Sequence, residues 1–422
     1  EVFVIVNDYR RNDYRPMAFR SKDFGKTFTS IVTEKQVPCY TLSIVQDPIA
    51  TDMLWLGTDC GLYLSIDGGK NWNKWMNNYP SVPTMDMKIH SRDHDLILGT
   101  FGRAFYILDD IRPLREIAQT GGKVLDKALR VFPAPDAYLA NFKSYSGYHF
   151  AADGIYEGQN KATGAMLTIW NKVGASKNAA TSEKAKMVVK TEKGEVIRKM
   201  SMTLDTGMVR IYWDLRKNGV AMPSRREAKP DDELPVGGSV SPGNYWFIVT
   251  LNGQSDSTMI KVSGDPRENI SMADYAAQEA GFKELDQLIT KATAGFTRIQ
   301  DAKKAITRVE SAIQLVADST KKDLVKLGKA MTDSLNNLEK LYMMPDGLKG
   351  IQRSASNIQG SLFAVRSTMN TFVGEPTQAA KNNLNKATIE VNEAIEKINT
   401  FMTGPFENYK KKVETLSFSL FK

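Results

Sequence analysis

Two carboxylates recur in this 422-residue chain in a setting that defines their chemistry. Asp23 lies in SKDFGKTF, from Ser21 to Phe28, and Asp67 in SIDGGKNW, from Ser65 to Trp72. In a Ser-x-Asp-x-Gly-x-x-aromatic segment, the Asp side chain can accept backbone N–H groups of a tight turn. Gly25 and Gly69 can take the positive φ that such a turn requires. Ser21 and Ser65 open the turns, and Phe28 and Trp72 are expected to fold back as apolar plugs between sheets. That chemistry fastens a hairpin and does not turn over a substrate. A second pair of segments repeats alongside: LWLGTDCGLYLSID ends at Asp67 and LILGTFGRAFYILD ends at Asp109. Asp109 thus takes the position of Asp67, and the same architectural use is expected for it.

Catalytic chemistry has fewer footholds. Glycoside hydrolysis needs two carboxylates across a sugar, or a Tyr nucleophile with an arginine cluster. Asp59, Tyr63 and Arg103, near strand ends, are the candidates. A structural reading of each is preferred: Asp59 as a turn residue, Tyr63 as core, and Arg103 as a salt-bridge or backbone ligand between sheets. Asp109 and Asp110 are neighbours on one strand and point to opposite faces, so they cannot share a substrate. Cys39 and Cys60 are the only cysteines, and His90, His94 and His149 the only histidines. Neither a structural zinc site nor any cofactor is expected from so small a set. The two cysteines read as buried free thiols, with a Cys39–Cys60 disulfide as the alternative in an exported protein. Ser257, Ser319 and Ser334 each follow an Asp and precede Thr or Leu, a pattern that marks O-glycan acceptors in some exported bacterial proteins.

The elements that hold these residues follow from spacing. Ser21 and Ser65 are 44 residues apart, and Asp67 and Asp109 are 42 apart. Such periods, with several short strands in each, are the signature of propeller blades. At most three blades fit, whereas closure takes about four to eight. Residues 1–118 are therefore expected to be the last blades of a β-propeller whose earlier blades lie upstream in the same polypeptide or on another chain. Residues 119–128 read as a linker. The segment 129–266 alternates apolar and polar residues in AMLTIWNK, KMVVKTEKGEVIRKMSM, MVRIYWDL and GNYWFIVTLNG, which suits an Ig-like β-sandwich. Residues 267–422 turn to helical periodicity. One apolar stripe runs through Leu285, Leu288, Ile289, Ile299, Ala302, Ile306, Val309 and Ile313, and another from Leu324 to Leu341. Four or so helices, stopped at Met344-Pro345, Gly374 with Pro376, and Gly404-Pro405, predict an antiparallel bundle.

Composition narrows the partners. A formal charge of +8 raises nucleic-acid binding, but no cluster of Lys and Arg interleaves with aromatics, so none is expected. No window supplies the roughly 20 apolar residues that would span a bilayer. The opening EVFVIVNDYR reads as a strand and lacks the layout of a signal peptide.

The motifs also resemble those of a known family. GTFGRAFYILDDIRPLRE, from Gly99 to Glu116, is similar to the end of the last blade in large secreted bacterial BNR-repeat proteins related to the sortilin-type propeller, whose turns are called Asp boxes and which are often labelled glycosyl hydrolases. Trp213-Asp214-Leu215-Arg216, Pro242-Gly243-Asn244-Tyr245 and Asp265-Pro266-Arg267 resemble the family's sandwich, and the segments Glu339–Tyr342 and Gly374–Thr377 its helical tail. The cysteine-rich module of animal sortilins has no counterpart, so their sorting role does not carry over. The expected function is a non-catalytic exported scaffold that engages a protein or a cell-surface glycan through its propeller and helical tail. The alternative is a sialidase-like glycoside hydrolase with its active site in upstream blades. The resemblance implies a periplasmic, cell-surface or extracellular place in a Gram-negative bacterium, with an outer-membrane complex as a candidate setting.

Overall fold

The structure, a computed structural model, describes residues 1–140, 161–172, 183–229, 232–313, 318–347, 357–371 and 373–415. The chain is multidomain, with antiparallel sheets followed by a C-terminal helical region. It divides into two compact units. The first comprises Glu1–Val196, Met200–Asp214 and Asn244–Ser263; the second comprises Ile197–Lys199, Leu215–Gly243 and Gly264–Lys422.

The first unit opens with three antiparallel meanders. β1 (Val2–Asp8), β2 (Asp13–Ser21) and β3 (Thr29–Ser30) form the first; β4 (Thr41–Gln46), β5 (Leu54–Thr58), β6 (Gly61–Ser65) and β7 (Asn73–Lys74) the second; β8 (Thr84–Ile89), β9 (Leu96–Thr100) and β10 (Phe105–Leu108) the third. Their first strands lie side by side, β1 against β4 and β4 against β8. Thr41 Oγ1 donates to the Met17 carbonyl of the first sheet, and Ser43 Oγ to the Thr84 carbonyl of the third.

Every residue of β5 and β6 is buried, because the second sheet is covered on both faces. Strand alternation divides those residues between two cores. Leu54, Leu56 and Tyr63 join Ala18, Val32, Val37 and Trp72 toward the first sheet. Met53, Trp55, Leu62 and Leu64 join Met87, Leu96 and Leu98 toward the third. The first and third sheets carry exposed apolar side chains instead: Val2, Val6 and Phe28 on one, Met85, Phe105 and Ile107 on the other.

α1 (Arg112–Gln119) follows β10, with Pro113 in its first turn, where the missing N–H costs nothing. Its Leu114 and Ile117 pack with Val124, Phe132 and Trp170. Two further sheets come next. β11 (Leu129–Val131), β13 (Ala165–Asn171) and β16 (Gly207–Trp213) form one; β12 (Ala137–Leu139), β20 (Gln254–Gly264), β19 (Gly243–Leu251), β14 (Ala185–Thr191) and β15 (Val196–Met202) form the other, in that spatial order. Alternate residues of β19, from Tyr245 to Leu251, point inward, and Trp213 of the smaller sheet meets Tyr245 of the larger with ring centroids 5.5 Å apart. Arg130 bridges Glu116 of α1 and Asp256 of β20, which fixes the helix to these sheets.

Among the described residues the second unit holds the ribbon of β17 (Arg216–Asn218) and β18 (Val236–Ser239) and five helices: α2 (Met272–Ile313), α3 (Asp318–Lys340), α4 (Ile358–Met369), α5 (Gln378–Phe401) and α6 (Glu407–Glu414). The first apolar stripe lies entirely on the 42-residue α2 and meets α3, α4 and α5 in one core. Thr377 caps α5 by accepting the Ala380 N–H. The expected stop at Gly404-Pro405 does not occur. A π-helical turn, Met402–Phe406, absorbs the proline and carries the chain from α5 into α6.

Candidate functional site

The two octapeptides build nearly identical turns. Ser21 Oγ donates to Asp23 Oδ1 at 2.8 Å and accepts the Gly25 N–H at 2.8 Å. Asp23 also accepts from Lys26 N, Thr27 N and Thr27 Oγ1. Ser65 and Asp67 repeat the set with Gly69, Lys70 and Asn71. Gly25 and Gly69 stand at φ 88° and 89°, the left-handed region that a side chain disfavours. The hydrogen bonds from Thr27 and Ser21 hold the Asp23 carboxyl at about 2. At Asp67 burial opposes ionisation, but the bonds from Asn71, Ser65 and Lys70 outweigh it and lower the carboxyl.

Trp72 is 6% exposed and donates from Nε1 to the Ile31 carbonyl of the neighbouring sheet, whereas Phe28 is 47% exposed. Phe28 is therefore not a plug among the described residues: no sheet lies against that face of β1–β3, while Trp72 has the first sheet to pack on.

Asp109 differs from both turn carboxylates. Ile107 stands where Ser65 stands in the repeat, and the chain enters α1 after β10 instead of a Ser–Gly turn. Asp109 makes no hydrogen bond or ion pair among the described residues, and burial raises its carboxyl above the ordinary range. Asp109 and Asp110 both lie beyond the end of β10 at Leu108, so they are not neighbours on one strand as expected, and Asp110 takes a left-handed φ of 46°. Asp110 is 1% exposed, pairs with Arg112 and offers its backbone carbonyl to Arg210.

The three hydrolase candidates are placed separately. Asp59 accepts from the Tyr40 hydroxyl at 2.8 Å, and burial together with that bond pushes Tyr40 up to about 12. Tyr63 is 3% exposed in the core between the first two sheets, where burial raises its hydroxyl. Arg103 is exposed in the β9–β10 hairpin. Cys39 and Cys60 are joined in a disulfide across a separation of 21 residues. This corrects the expectation of buried free thiols: both cysteines are half-buried at strand ends, where β5 and the entry to β4 bring them together.

Sequence reading missed one buried cluster. Arg115 of α1 donates from Nε to both Asp47 oxygens, and Asp47 accepts from Ile49 N and Ala50 N in the β4–β5 turn. Arg115 Nη1 lies 2.9 Å from His94 Nδ1, so that ring nitrogen is the acceptor and the imidazole is neutral. Burial, then Arg115 and Arg112, lower the His94 pKa. His149 lies outside the described residues. Among the described residues no group of three or more His, Cys, Asp or Glu is placed to hold a metal ion.

Ser257 sits half-buried in β20, beside an Asp256 carboxylate taken by Arg130 and Val131 N. Ser334 is in α3 and donates to the Ala330 carbonyl. Ser319 belongs to the first turn of α3, and its side chain is outside the described residues.

Together the sheets, the turns and the helices define a multidomain, β-rich chain with a helical C-terminal region, and no helix among the described residues is long and apolar enough to cross a membrane. No protein-family model matches the chain, and no curated protein matches it. Among solved structures it is similar to the extracellular domain assigned to a one-component system of B. thetaiotaomicron, at 11% identity and a TM-score of 0.18 over 58% of this chain. The match covers 28% of that structure's chain.

Proposed function

We propose that the chain is part of an exported, non-catalytic binding scaffold. In this reading the three meanders are blades of an Asp-box propeller of the sortilin-related BNR type, and the two following sheets form an Ig-like sandwich. One observation carries it. Trp72 plugs the seam between two sheets while its repeat equivalent Phe28 stands exposed, as it would on a blade whose upstream neighbour completes the ring. The Cys39–Cys60 disulfide supports export, since such bonds persist in oxidising compartments. The partner is a protein or a cell-surface glycan, not a nucleic acid, and an outer-membrane complex of a Gram-negative cell is the setting.

Against hydrolysis by these residues stand the engaged turn carboxylates, the Asp59–Tyr40 bond and the burial of Tyr63. A sugar-release assay on the protein, with Arg103→Ala beside it, tests the reading. No release above buffer is expected from either protein. Release that Arg103→Ala abolishes would establish the hydrolase instead.

A further inference from the structure

A cleft of about 860 Å³ opens between the third sheet and the start of β16, within the size range of small-molecule sites. Trp75, Tyr79, Tyr106, Met208, Asp109 and Arg210 are among its lining residues. The aromatics are fixed. Trp75 meets Trp55 edge-on at 5.5 Å, and Tyr79 meets Tyr106 at 5.1 Å with its own hydroxyl bonded to Thr84.

The polar groups are unspent. Asp23 and Asp67 each accept four hydrogen bonds in their turns, whereas Asp109, at the equivalent repeat position, accepts none among the described residues. Trp75 Nε1 and the Tyr106 hydroxyl are likewise without hydrogen bonds among the described residues. Arg210 uses Nη2 on the Asp110 carbonyl and keeps the rest of its fork.

A half-buried carboxylate that accepts no hydrogen bond is costly unless a ligand supplies donors. A cationic ligand would meet Arg210, and an anionic one would meet Asp109. What fits is an uncharged ligand with an apolar face for the aromatic and Met208 walls and a rim of hydroxyls that both donate and accept. We infer that this cleft holds a neutral pyranose unit of a glycan, laid against Trp75, with its hydroxyls shared among Asp109, Tyr106 and Arg210. The assignment deepens the scaffold reading, on which it rests, by giving the glycan a place.

The test is binding of the full chain to an array of neutral, acidic and sulfated glycans. Asp109→Asn, Tyr106→Phe and Trp75→Ala are compared with Phe363→Ala, an exposed change on α4. Neutral hexose or N-acetylhexosamine glycans are expected to bind, and the two near-isosteric variants to weaken that binding by roughly tenfold while melting like the parent. Trp75→Ala should abolish binding and Phe363→Ala leave it intact. Binding to no glycan, binding only to acidic or sulfated glycans, or an affinity that Asp109→Asn leaves unchanged would each overturn the site. The last result spares the scaffold reading. Sugar release by the parent protein would instead overturn the non-catalytic reading, and loss of binding in Asp109→Asn would still locate the glycan.

Discussion

Arg115 and Asp47 pair across 68 residues of sequence, with the Arg115 Nε–H shared between the two carboxylate oxygens at 3.0 and 2.8 Å. The side chains are 5% and 0% exposed. The pair ties α1 to the β4–β5 turn, so the helix that leaves the third sheet is locked to the second. A buried pair of this kind repays its desolvation only while both partners remain.

Arg115→Leu should therefore destabilise the first unit by about 3–5 kcal/mol, because it leaves Asp47 buried and uncompensated. Urea unfolding measures this. Adding Asp47→Ala should recover part of the loss, but not all, since Asp47 also accepts two backbone N–H groups of its turn.

His94 sets a pH dependence. Its folded-state pKa is lowered, so the unfolded chain takes up a proton more readily than the folded one. Stability is fully present above the ordinary histidine value of about 6.5 and falls as pH drops below it. The charges around the imidazole come from Arg115 and Arg112 of α1, with Asp110 and Asp47 opposing them. Thermal melts between about pH 7 and pH 5 should show the decline, and His94→Gln should flatten it.

Trp72→Ala should cost about 3–5 kcal/mol, since it empties the seam between two sheets and frees the Ile31 carbonyl. Phe28→Ala in this chain should stay within about 0.5 kcal/mol, as an exposed surface change. Paired denaturation curves of the two variants separate these outcomes, and equal losses would remove the distinction between plug and bare face.

Reduction of Cys39–Cys60 should destabilise the chain by about 3 kcal/mol through the freedom returned to the unfolded loop. Cys39→Ala/Cys60→Ala should melt like the reduced parent and no longer respond to dithiothreitol.

What the sequence disclosed follows the range of the interactions. The Ser–Asp turns close within seven residues, so Ser65, Asp67 and Gly69 could be read directly. The hairpin at Asn252-Gly253 and the stripe on α2 are equally local, and both lie where periodicity and turn chemistry put them. The Arg115–Asp47 pair, the Arg130–Asp256 bridge across 126 residues and the disulfide depend on strands returning to one another, which no spacing encodes. Asp109 misled for a related reason. Its repeat position matches Asp67, but Ile107 replaces the serine and α1 replaces the turn, so the carboxylate is left facing the cleft. Gly404-Pro405 carries a stop signal that a π-helical turn overrides.

The most direct test of blade stacking is hydrogen exchange over residues 28–30, compared between this chain and a polypeptide that carries the proposed neighbouring blade ahead of it. Fast exchange is expected in the chain alone and marked slowing in the longer polypeptide, as a neighbouring sheet covers Phe28. Equal, fast exchange in both would contradict the stacking.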